Sequence, residues 1–129
     1  MKSLYTVTAA IELGAGLALL CSPSATVVLL VGSGLDTSAA MTLGRVAGGA
    51  LLALGVACWL ARDDTQSHAA RGLVVAMLLY NVTVAAVLAF AGLGLRLHAV
   101  ALWPAVVLHA AMAAWCITTL LRAQAAVRR

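Results

Sequence analysis

Residues 70–93 read ARGLVVAMLLYNVTVAAVLAFAGL, and beyond Arg71 this stretch holds no charged side chain. About 20 apolar residues in helical form cross about 30 Å of hydrocarbon, so the stretch predicts a transmembrane helix. Three more apolar runs of spanning length lie at residues 4–21, 38–61 and 99–121. The composition agrees: of 129 residues, 64% are hydrophobic and 9% charged, with a mean hydropathy of +1.08. That balance lies outside the range of water-soluble domains. The four runs leave no loop long enough for a separate catalytic or binding domain, so any chemistry has to sit among the helices. The expected fold is therefore all-α, a single integral-membrane domain over residues 1–129 built as a four-helix bundle. Disordered chains, disulfide scaffolds and soluble enzyme folds are excluded.

The segment between the first two runs, 22–37, opens Ser22-Pro23-Ser24, an N-cap followed by proline at the first helical position. Its apolar run, Ala25 to Val31, stops at Gly32-Ser33-Gly34. Too short to span, it predicts a short interfacial helix followed by a turn, with Asp36 or Thr37 capping the next helix. Lys2 ahead of an apolar stretch invites comparison with a secretion signal. Glu12 inside that stretch, and Leu19 and Leu20 ahead of Cys21, argue for a retained helix.

The formal net charge is +4, but the basic residues form no stripe of the kind that binds nucleic acid. Their distribution reports topology instead. Lys2, Arg62, Arg71, Arg122, Arg128 and Arg129 fall on one side and only Arg96 on the other, so both termini are expected inside. Tyr5, Trp59 and Trp103 lie near helix ends, where amphipathic rings anchor at headgroups, with core packing as the alternative for Trp59 and Trp115. Cys21, Cys58 and Cys116 lack the short spacings of zinc or redox motifs and read as small apolar residues.

Arg45 lies inside the second run and Glu12 inside the first. A charge in hydrocarbon costs about 2.5–3.5 kcal/mol on insertion scales, so each is expected to face the bundle and pair with the other. Counting 1.5 Å per residue from the outer ends at Cys21 and Ser38 puts Glu12 at a depth of about 13 Å and Arg45 at about 10 Å. The same count puts His109 at about 15 Å and Asn81 at about 18 Å. One polar residue from each helix thus falls at similar depth, and Glu12, Arg45, Asn81 and His109 form the candidate polar cluster, functional or purely structural. Gly48 and Gly49, one turn beyond Arg45, mark a notched face. Gly44 with Gly48, and Gly14 with Ala18 or Ala10, predict close packing of the first two helices through small residues.

Other signals are bland. His109, Met112 and Cys116 repeat at i, i+3 and i+7, a face a soft ion such as Cu(I) could use, although Met and Cys in an alanine-rich helix need only packing to explain them. No catalytic residue, metal site or cofactor is assigned. His68 and His98 fall outside the spans, which leaves one mid-membrane histidine and no bis-histidine haem pair within a chain. Asp63 and Asp64, with Gln66, Ser67 and His68, read as a solvated turn. Pro104 sits in the first turns of the last helix, where a missing N–H is tolerated.

The glycine-containing first helix, the Pro23 turn, Gly44-Arg45-Val46-Ala47-Gly48 and the exit Leu60-Ala61-Arg62 resemble the small four-helix DoxX-like proteins of bacterial inner membranes. The resemblance implies an inner-membrane location and, for some members, association with quinone-linked redox enzymes. Three functions are compatible with the sequence. The first is a binding or accessory protein with a polar pocket for a lipid, quinone or other small molecule, alone or in a homo-oligomer or larger membrane complex. The others are a small oligomeric proton-coupled transporter or channel, using Glu12 and His109, and a membrane subunit of a quinone-linked redox enzyme.

Overall fold

A computed structural model describes residues 1–64 and 67–127. The chain is all-helical in this description: α1 (Lys2–Cys21), α2 (Pro23–Val31), α3 (Ser38–Ala61), α4 (His68–Leu93) and α5 (Leu102–Val127). Four of them, α1, α3, α4 and α5, are long and apolar enough to cross a membrane. Their outward faces are apolar as well, with Leu43, Leu60, Leu79 and Leu93 each at least 69% exposed. Water would penalise such a surface and a lipid solvent would not.

Local signals set the helix ends. Pro23 opens α2 at its first position, and Gly32, at φ 82, closes it in the left-handed conformation that glycine adopts without penalty. Of the two predicted caps for α3, Thr37 is the one used, its hydroxyl accepting from Ala40 N–H at 3.1 Å. Ser67 caps α4 in the same way through Ala70 N–H at 3.1 Å. The last helix begins at Leu102, not Ala99, and just ahead of it the Ala101 N–H donates to Leu29 O of α2 at 3.0 Å. That bond ties α2 to the 94–101 connection, so the short helix packs over the end of the bundle against α1, α3 and α5. At the opposite end Lys2 reaches Asp63, and Arg62 lies over the Trp59 ring, 3.8 Å from its centroid. Asp63 and Asp64 are exposed there, as the turn reading expects. Gln66 of that turn and Arg128 and Arg129 of the tail lie outside the described residues.

The helices associate as two close antiparallel pairs, α1 with α3 and α4 with α5. Glycine permits the first. A Cβ on Gly48 would stand 2.8 Å from Gly16 O and from Leu20 N; one on Gly16 would stand 2.8 Å from Leu52 N, and one on Gly55 3.0 Å from Leu13 N. Backbone therefore touches backbone, the small-residue packing by which helices associate in lipid. Gly48 acts as expected, but Gly14, Ala10 and Ala18 do not: all three are exposed, and a Cβ on Gly14 would meet nothing within 4 Å. The notch on α1 is Gly16, half a turn away.

Between the pairs lies the main core, formed by Leu4, Tyr5, Ala9, Cys58, Ala70, Val74, Met77, Met112 and Cys116. Tyr5 belongs to it, not to a headgroup belt. It is fully buried and its hydroxyl donates to Ala70 O of α4. That carbonyl lies in the first turn of α4, which gives the phenol a partner that a position near a helix end would otherwise seek in water. A second core of Leu88, Ala91 and Leu102 lies toward the α2 end.

Candidate polar site between the helix pairs

One turn from the main core, three helices bring polar groups together. Glu12 on α1 is 3% exposed, and its Oε2 accepts a hydrogen bond of 3.1 Å from the Tyr80 hydroxyl on α4. The Tyr80 ring stands edge-on to the His109 imidazole of α5, their centroids 5.6 Å apart. His109 Nδ1 in turn lies 2.8 Å from Oδ1 of the buried Asn81.

Asn81 fixes the chemistry of that contact. Its Nδ2 donates to Met77 O, one turn back on α4, at 2.8 Å. The amide oxygen is thereby turned to α5, so His109 must donate from Nδ1. In neutral imidazole this leaves Nε2 as an acceptor, with no hydrogen-bond partner among the described residues. Glu12 Oε1 is a second acceptor without a partner among the described residues. One turn along α1, the hydroxyl of Thr8 is buried and unbonded. The seam thus holds two acceptor atoms and one hydroxyl without hydrogen-bond partners among the described residues.

Glu12, Asn81 and His109, three of the residues expected to meet, are brought together in this way. Arg45 is not among them. It is exposed on α3 and makes no ion pair among the described residues, whose salt bridges involve only Lys2, Arg62 and Asp63. The register between α1 and α3 explains the difference. Gly16 faces Leu52, Leu20 faces Gly48 and Leu13 faces Gly55, so Glu12 is level with Val56 and Arg45 with Pro23. Those levels are eleven residues apart on α3, or about 16 Å. Counting depth from Cys21 and Ser38 assumes that both helices leave the bilayer in one plane. In the fold α3 begins well beyond the end of α1, alongside α2, with Gly44 against Pro23 and Leu35. Arg45 and Gly49 also turn away from α1 while Gly48 turns toward it.

Tyr80 is the residue the sequence reading missed. A tyrosine ring passes as apolar, yet a phenol in the middle of a span, far from either headgroup region, needs a partner for its hydroxyl. Its position next to Asn81 was the available signal. No three His, Cys, Asp or Glu side chains converge to hold a metal ion among the described residues. No known family model, curated protein or solved structure matches the chain.

Proposed function

We propose that the protein is a multi-pass component of a bacterial inner membrane, with both termini cytoplasmic, that binds a small amphipathic molecule between its two helix pairs as a binding or accessory protein. The observation that carries this reading is the convergence of Glu12, Tyr80, Asn81 and His109 from three helices with two acceptor atoms left over. Such a seam favours a ligand that donates hydrogen bonds: a hydroxyl-bearing headgroup, or the quinol form of a quinone, with its apolar tail among the helices. The resemblance to DoxX-like proteins and the excess of Lys and Arg at one end of the bundle support the location and orientation. Arg45, about 10 Å from the start of α3, is within reach of outer-leaflet phosphates if its side chain extends toward the surface.

Native mass spectrometry of the protein released from gentle detergent tests the proposal, beside thermal unfolding with a short-chain quinol or added lipid. The wild type is expected to retain a small molecule and to gain about 2.7 kcal/mol at a ligand concentration 100 times Kd. His109→Leu and Glu12→Gln are expected to lose both effects. Equal retention and equal stabilisation in all three proteins would overturn the proposal.

A further inference from the structure

Glu12 is the one acid within the described spans, since Asp36, Asp63 and Asp64 lie outside them. Its buried carboxyl accepts a hydrogen bond from Tyr80 and makes no ion pair among the described residues. The basic side chains are engaged or placed elsewhere. Lys2 is bonded to Asp63, Arg45 is exposed on α3, and Arg71 and Arg122 lie more than two turns along α4 and α5 from Tyr80 and His109. Of the other titratable groups on the elements around α1, α3 brings Cys58, α4 Tyr80, and α5 His109 and Cys116, while α2 has none. His109 is bonded to Asn81 and forms no ion pair with Glu12. An ionised carboxylate in this place needs a positive charge that the described residues do not supply. We infer that the ligand supplies it, as a lipophilic amine in its protonated form whose N–H groups donate to Glu12 Oε1. The inference names the ligand class of the polar seam and rests on the reading of that seam as a binding site.

Three physical arguments select this class. A single carboxylate balances a single positive charge, and the low-dielectric interior tolerates the neutral pair far better than either ion alone. Directed donors are favoured over a bare metal ion, because hard cations take six or more oxygen ligands whereas the groups left unbonded here are Glu12 Oε1, His109 Nε2 and the buried Thr8 hydroxyl. A primary ammonium carries three N–H donors, one for the carboxylate and others for such acceptors. The apolar part of the ligand follows from the packing. Close backbone approach holds within each helix pair, and the pairs meet one another through side chains, which can part for an alkyl chain without breaking either pair. The seam is electrically neutral in two ways, with a proton on Glu12 or with the ammonium beside its carboxylate. Binding exchanges one for the other: the protonated amine enters, the Glu12 O–H bond breaks, and that proton leaves to water, with no electron transferred.

The full-length protein in a neutral detergent is titrated calorimetrically with decylamine and with decanol, which has the same chain and a neutral hydroxyl, with micelles alone as the blank. Wild type is expected to bind the amine at least about tenfold more tightly than the alcohol. Repeating the amine titration in two buffers of different ionisation heat should show about one proton released per amine bound. Glu12→Gln keeps the shape of the side chain without its charge, and should bind the amine no better than decanol. The comparison of the two compounds and the proton count both use the wild type, so they decide the matter if the variant does not fold. Decanol binding as tightly as decylamine would overturn the inference while leaving the seam a binding site for hydroxyl-bearing ligands. Amine binding without proton release, or an undiminished preference for the amine in Glu12→Gln, would overturn it as well. Failure of both compounds to bind would overturn it together with the reading on which it rests.

Discussion

Asn81 carries more of the site than its single side chain suggests, because it joins Met77 O on its own helix to His109 on the next. Asn81→Leu removes an interhelical hydrogen bond and leaves His109 Nδ1–H without an acceptor. Interhelical bonds of this kind average about 0.6 kcal/mol and reach about 1.7 kcal/mol, and a loss in that range is expected in thermal unfolding in detergent. Arg45→Leu should behave in the opposite way. With no ion pair to break, its effect on stability should stay within about 0.5 kcal/mol, as for other surface positions. Residue identity alone was enough to single out Glu12, Asn81 and His109, since a polar group in an apolar run requires a partner. It could not separate Arg45 from them, because a long cationic side chain can also satisfy itself at a surface.

At the scale of the elements, the contrast between glycines makes a sharp prediction. Gly48→Ala forces a methyl group into Gly16 O and Leu20 N, both backbone atoms that cannot swing aside. A cost of about 1–3 kcal/mol is expected, the range for overpacking a close interface. Gly14→Ala fills open space on the outside of α1, and should leave the melting temperature unchanged or slightly raised. The helices themselves were legible, because run length, Pro23, Thr37 and Gly32 each act locally. Their register was not. It depends on how far the 22–37 segment carries the chain before α3 begins, and that distance is set by packing of α2 against three other helices.

For the molecule as a whole, two close helix pairs meet along a seam that holds both the polar groups and the main core. The end bearing both Lys2 and the α3–α4 turn is closed by an exposed ion pair, Lys2 Nζ to Asp63 Oδ1 at 2.7 Å. The hydrogen bond from Lys2 holds the Asp63 carboxyl below its usual range, assisted by the charges of Lys2 and Arg62 and opposed by slight desolvation. A lowered folded-state value means that the pair contributes above the ordinary aspartate pKa, and that its contribution disappears as pH falls through the lowered one. Thermal unfolding of wild type and Asp63→Asn across pH 6 to 2 should therefore show a small difference that vanishes at the acid end, on the order expected for an exposed pair. A difference that persists or grows in acid would contradict the contact.

The central claim is that Glu12 meets Tyr80 across the two helix pairs and not Arg45. A double-mutant cycle by reversible unfolding in detergent tests it most directly, with Glu12→Gln combined first with Tyr80→Phe and then with Arg45→Leu. The predicted result is a coupling of about 0.5 kcal/mol or more for Glu12 with Tyr80, and additivity for Glu12 with Arg45. Additivity with Tyr80 together with coupling to Arg45 would contradict the account.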